Sequence, residues 1–266
     1  LAKVTDLLEK GADVHAVDKD KQTALHLAAE NKAGPEVVAL LLEKGADVHA
    51  VDKDKDTALH LAAGNQAGPE VVALLLEKGA DVHAVGEDKK TALHWATGNK
   101  AGPEVVALLL EKGADVHAVA DHKITALHWA AGNQAGPEVV ALLLEKGADV
   151  HAVDAYKETA LHLAAMYEAG PEVLGLLLSA GGENKNSDGK PILTPEQQAE
   201  ALAAAATNVK SSTFMTNLMR SNENFLNLID PHNLDSIDAY IDALASTTDD
   251  AAPEAYPKKP PRLAEA

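Results

Sequence analysis

AGPEVVALLLEKGADVHAV fills residues 33–51 and recurs word for word at residues 67–85, 101–119 and 135–153, a period of 34 residues. A unit this short cannot bury its own apolar face and must stack on its neighbours, which makes the chain a solenoid. Inside the block, Pro35 suits the first position of a helix, where its missing amide is no loss, and Glu36 suits the positive end of the helix dipole. Val37 to Leu42 is apolar without a break, so this outer helix must be covered on both sides. Gly45 stands where a left-handed residue would end it.

Working outward from the block, Thr23 is placed to N-cap a shorter inner helix from Ala24 to about Glu30. Ala24, Ala28 and Ala29 keep one side of that helix small enough for close approach of a neighbour, and Asn31 to Gly34 forms the turn into the outer helix. After Gly45, AlaAspValHisAlaVal followed by AspLysAspLys reads as an extended, hairpin-like crossover to the next repeat. TALHLAA, EVVALLLEKGADV and the Asp-led segment after them together resemble the ankyrin repeat. The resemblance covers residues 1–181, a partial N-terminal repeat plus five helix pairs, and implies an all-α-type solenoid. Such a stack has short hairpin crossovers, here followed by a small helical C-terminal extension. The sequence departs from the family in its period of 34 and in Ala at Ala24, Ala58, Ala92, Ala126 and Ala160. It departs again in His at His15, His49, His83, His117 and His151, and in Lys21, Lys55, Lys89, Lys123 and Lys157, which stand where the family has a left-handed glycine. A side chain there costs roughly 1–2 kcal/mol.

Leu1 to Lys10 supplies an outer helix without an inner partner; array ends carry polar caps, so further repeats or another domain are expected before it. At the other end the fifth outer helix drifts to EVLGLLLSAGG and residues 182–193 read as a polar linker. Thr194-Pro195-Glu196-Gln197 opens a helix with an N-cap, a first-turn proline and a capping-box glutamine. Further helical stretches carry Phe214, Leu218, Phe225 and Leu228, then Leu234, Ile237, Ile241 and Leu244. Residues 194–248 hold too little apolar mass for a secure domain of their own and are expected to cap the fifth repeat over Val173, Leu174 and Leu177. Residues 249–266 have the composition of a disordered tail. Within it, Pro257, Pro260 and Arg262 fit a short ligand pattern of Src-homology-3 domains.

A net charge of −18 opposes binding to phosphate backbones and anionic lipid, so neither a nucleic acid nor a membrane is an expected partner. The absence of cysteine excludes disulfides, thiolate catalysis and cysteine zinc sites. No apolar run approaches the length of a membrane span, nothing at the start resembles a signal peptide, and an intracellular, cytoplasmic location is expected. No nucleophile elbow, phosphate-binding loop, dinucleotide fingerprint or HExxH is present, so neither catalysis nor a cofactor is expected. By the resemblance, His26, His60, His94, His128 and His162 hydrogen-bond loop backbone and tie neighbouring repeats together. Equivalent histidines of successive repeats stand too far apart to share a zinc ion, whose nitrogen ligands lie about 2.0–2.1 Å from the metal. Asp235, Asp238 and Asp242 lack the spacing of a calcium loop and read as a solvated helix face.

Variation between the repeats is concentrated in a few columns. The tips read Lys19-Asp20, Lys53-Asp54, Glu87-Asp88, Asp121-His122 and Ala155-Tyr156; the residues before the inner helix are Gln22, Asp56, Lys90, Ile124 and Glu158. Leu27, Leu61, Trp95, Trp129 and Leu163 follow the histidine, and the helix ends are Glu30, Gly64, Gly98, Gly132 and Met166, with Tyr167 next to the last. Neutral drift would also scatter changes over Ala39, Glu43 and Lys44 of the outer helix, which recur unchanged. In ankyrin proteins, tips and inner-helix exits are where partners touch. The expected function is therefore a non-catalytic module that binds a protein on its concave face. Trp95 and Trp129 stand side by side in adjacent repeats as the expected hot spot; packing between helices is the competing role. The alternative is the targeting arm of a larger multidomain enzyme, or an effector of the kind found among the ankyrin proteins of intracellular bacteria that this chain resembles.

Overall fold

The computed structural model of the chain describes residues 2–186 and 188–208. The helices expected beyond Asn208 and the tail with Pro257, Pro260 and Arg262 lie outside the described residues. A lone outer helix, α1 (Ala2–Glu9), is followed by five helix pairs. These are α2 (Ala24–Glu30) with α3 (Pro35–Glu43), α4 (Ala58–Gly64) with α5 (Pro69–Glu77), and α6 (Ala92–Gly98) with α7 (Pro103–Glu111). The last two are α8 (Ala126–Gly132) with α9 (Pro137–Glu145) and α10 (Ala160–Met166) with α11 (Pro171–Ser179), after which α12 (Pro195–Asn208) ends the described chain. Inner helices stack on inner helices and outer on outer, as a solenoid requires.

Local chemistry sets each boundary. Thr23 accepts from the amide of His26, while the Thr23 amide donates to His26 Nδ1 at 3.2 Å, a capping box in which histidine replaces the usual glutamate. The same pair recurs at Thr57/His60, Thr91/His94, Thr125/His128 and Thr159/His162. Because Nδ1 accepts, the neutral ring carries its proton on Nε2; His26, His60 and His128 donate it across the repeat boundary, whereas Nε2 of His94 and of His162 is buried without a partner, unlike the tie expected of them. His26 reaches the Asp56 carbonyl at 3.1 Å, His60 the carbonyls of Ala84 and Lys90 at 3.0 and 3.2 Å, and His128 that of Glu158 at 3.1 Å. Outer helices begin at proline and end in a left-handed glycine such as Gly45 (φ 93°), with the Ala46 and Gly45 amides closing on Leu41 and Leu42. Leu25, Leu59, Leu93, Leu127 and Leu161 of the inner helices, with Leu41, Leu75, Leu109 and Leu143 of the outer ones, belong to one core that runs the length of the stack.

The crossovers are hairpin-like, although among the described residues only isolated bridges form (Val17–Thr23 and Val119–Thr125) and no strand does. Each tip closes through two backbone bonds, for example from the Asp18 amide to the Gln22 carbonyl and from the Lys21 amide to the Asp18 carbonyl, both at 3.1 Å. Lys21, Lys55, Lys89, Lys123 and Lys157 all adopt the left-handed region, with φ between 57° and 66°. Two kinds of tip result from one substitution. Asp18, Asp52 and Asp154 each receive two amides of their own tip on one carboxylate oxygen, at 2.7–3.0 Å. Gly86 and Ala120 offer no carboxylate, and there Glu87–Lys89 and Asp121–Lys123 wind into short 3₁₀ turns with two successive left-handed residues, Asp88-Lys89 and His122-Lys123.

Among the described residues of the 182–193 segment, read in the sequence as a polar linker, a turn of the same kind as the tips forms. Asn186 receives the amides of Asp188 and Lys190 at 3.0 and 2.9 Å, with Gly189 left-handed. Asn184 accepts from Ile192 and Leu193 and donates to Gln198, fastening the turn to α12. An asparagine in the place of the anchoring aspartate is what makes a polar stretch ordered. From Thr194, whose amide and hydroxyl pair with Gln197, α12 runs across α11, and Gly175 admits the Ala201 carbonyl and Ala205 so closely that a side chain would collide with both.

Candidate protein-binding face

The variable columns come together along one side of the array, on the tips and the exits of the inner helices. The tips are exposed and linked in a partial ladder. Lys53 meets Asp20 twice, Nζ to Oδ1 and backbone amide to backbone carbonyl, both at 2.9 Å. That exposed pair holds Asp20 below the usual carboxylate range and raises Lys53. Lys89 pairs with Asp121 at 3.0 Å, and Lys19 also lies 3.8 Å from Asp20. His122 stacks on Tyr156 with ring centroids 6.5 Å apart, and the Ala155 amide donates to the His122 carbonyl at 2.8 Å. Asp54, Glu87 and Asp88 line the groove between the second and third tips.

Residues just before the inner helices point along the stack. Gln22 reaches Glu30 at 3.3 Å, while Ile124 and Glu158 are half-buried. Lys90 pairs with Asp88 at 3.1 Å and holds its ammonium 5.6 Å from the Trp129 ring centre, a cation–π contact. Asp56 differs from the other four: it is only 4% exposed and belongs to the interior, not to a surface a partner can touch. Burial pushes its carboxyl up to about 7; Asp52 adds to the shift, and the Trp95 indole N–H opposes it.

Trp95 and Trp129 are partly buried, each fitted over a glycine of the preceding repeat. A β-carbon at Gly64 would come 2.6 Å from Trp95 Cε3, and one at Gly98 would come 3.4 Å from Trp129 Cε3. Both indole nitrogens are buried without a hydrogen-bond partner. The helix-end glycines are thus sockets for the next repeat's indole. Their signal was in the sequence, since Gly64 and Gly98 each precede a tryptophan by the same spacing. Past the tryptophans the face turns apolar and open: Tyr156 is 73% exposed, Met166 56% and Tyr167 53%. Gln134 and Gln66, which sequence reasoning passed over, each donate to the last carbonyl of the next inner helix, Tyr167 at 2.7 Å and Asn99 at 2.9 Å.

Among the described residues no group of three or more His, Asp or Glu side chains is placed to hold a metal ion, and no helix is long and apolar enough to cross a membrane. Burial lowers His60 and His128 below the ordinary imidazole range and brings His94 down to about 4, which keeps these rings neutral, as their bonding to backbone requires. A family profile described as ankyrin repeats (3 copies) matches residues 1–85, 34–120 and 93–189. No curated protein matches the sequence.

Proposed function

The chain belongs to the ankyrin-repeat family, and from that premise we propose that it is a non-catalytic module holding a protein partner on the concave face formed by the tips and inner helices. Ankyrin repeats are in general protein–protein interaction modules. One observation carries the finer reading. Repeats that are identical along their outer helices differ mainly at the tips and along the inner helices, and the last repeat ends in an open group of large side chains, Tyr156, Met166 and Tyr167. Aromatic anchors of this kind concentrate interface energy. Charged tips at Lys19, Asp20, Lys53 and Asp54 supply the polar rim at the other end. Trp95 and Trp129 form the floor between them, each set by its glycine socket.

The test is capture of partners by the full chain, compared with a Tyr156→Ala, Tyr167→Ala protein and with a Glu43→Gln, Lys44→Gln control on the outer helix. Loss of about 2 kcal/mol per anchor would weaken binding more than tenfold for each tyrosine and leave the control unchanged. Equal binding by the tyrosine variant and the parent would remove this face from the reading.

A further inference from the structure

The junction between the second and third repeats is built unlike its neighbours. Tips one and two are joined by the double contact of Lys53 with Asp20, tips four and five by the Ala155–His122 backbone bond and a ring stack, and tips three and four by Lys89–Asp121. Neither a backbone bond nor an ion pair joins tip two to tip three. A groove of about 310 Å³ separates them, lined among others by Lys53, Lys55, Gly86 and Glu87. Against Gly86 of the groove wall, Asp56 Oδ1 is buried without a hydrogen-bond partner and lies where a side chain at position 86 would have to be. Only glycine leaves that room. The Trp95 indole nitrogen, likewise unpartnered, faces the same carboxyl from α6 without reaching hydrogen-bond geometry.

We propose that Asp56, Gly86 and Trp95 form a proton-sensitive joint between the second and third repeats, shut while Asp56 holds its proton and opening at the tips when that proton passes to water. An ionised carboxylate cannot remain sealed in an apolar contact without a partner. Its surroundings offer it only the Trp95 indole N–H, which stays short of hydrogen-bond geometry. Asp52 and Asp54 of its own tip repel it, and Asp52 is itself buried and committed to the Asp54 and Asp56 amides. Lys90 of the third tip is engaged by Asp88 and by the Trp129 ring, while Lys53 is engaged by Asp20. His26 of α2 bonds the Asp56 carbonyl, not its carboxyl. The easy route to solvent is outward into the groove, which moves the third tip away from the second.

The sign follows from a folded value raised from the ordinary 3.8 to about 7. The contribution of Asp56 to the joint is complete below 3.8, declines as pH rises, and is lost above about 7. His60, which ties α4 to the third repeat, runs the other way: burial lowers it from 6.5, so its contribution is complete above 6.5 and declines as pH falls. Opening above 6.5 therefore belongs to Asp56. The joint stands independently of which partner the face binds.

The test uses the full chain carrying Trp129→Leu, so that Trp95 is the one emitter, since the sequence holds two tryptophans. Its emission should titrate with a midpoint near 7 and stop titrating when Asp56→Asn is added. The Gly86 amide, bonded to Lys90, should exchange several-fold faster at about pH 8 than at about pH 6 after correction for intrinsic rates, and only where Asp56 is retained. Emission flat across this range, or a titration that persists in Asp56→Asn, overturns the joint. Should Asp56→Asn fail to fold, the carbon-13 carboxyl titration of Asp56 in the unaltered chain decides: a midpoint near 7 supports the joint and one near 3.8 overturns it.

Discussion

The first and second repeats meet through the same helices as the second and third, yet one junction is closed at its tips and the other is not. Leu25, Leu59 and Leu93 fill equivalent positions in α2, α4 and α6 and are each at most 1% exposed, so the buried leucine column is alike on both sides, although Trp95 over Gly64 replaces Leu61 and Glu30 of the first junction. The tips differ through residue 86. Asp18 and Asp52 each gather two amides of their tips, and the bridge from Lys53 to Asp20 joins two tips of that shape. Gly86 gathers none; its tip winds into a 3₁₀ turn, and the space it leaves takes the Asp56 carboxyl. The helices therefore set the spacing of the repeats, and a handful of tip residues sets how tightly each junction shuts.

If the helical layers are equivalent, Leu59→Ala and Leu93→Ala should destabilise by similar amounts, about 2–5 kcal/mol each. Chemical denaturation measures this, and a difference well beyond 1 kcal/mol would place part of the contrast in the core. A smaller effect isolates the tips. Gly86→Ala forces a β-carbon onto Asp56 and should cost about 1–3 kcal/mol, whereas the same change in an Asp56→Ala background should be nearly neutral. Additive costs in that double-mutant cycle would mean that Gly86 is required by its own backbone and not by Asp56. The smallest change is Lys53→Met at the closed junction. Its pair with Asp20 is exposed, so any loss of stability should vanish in high salt. A salt-independent loss would show that the lysine stem, not its charge, closes the tips.

Much of this was legible in the sequence. Pro35, Gly45, Thr23 and His26 mark helix ends through bonds made within a few residues, and word-for-word repetition showed the same bonds at every repeat. The left-handed lysines followed from the resemblance to ankyrin repeats, which have glycine at that position. The turn around Asn184 and Asn186 was not read from the sequence, because both act through side chains that a composition-based reading counts only as polar. Gly64 and Gly98 were seen as variable positions, but not as sockets.

By itself the sequence determined the repeat, its helix boundaries, its turn conformations and the periodic core, because each rests on local hydrogen bonding or on a pattern that recurs every 34 residues. Only the tertiary structure decided which variable residues stay exposed and which face the next repeat. Asp56, Lys90, Trp95 and Trp129 occupy columns that look equally exposed in one dimension, yet stacking brings Asp56 against Gly86 and Trp95, and Lys90 over Trp129. Those meetings join residues about a repeat apart, and the physics that decides them, close packing and the penalty for a sealed charge, acts only once both repeats are in place.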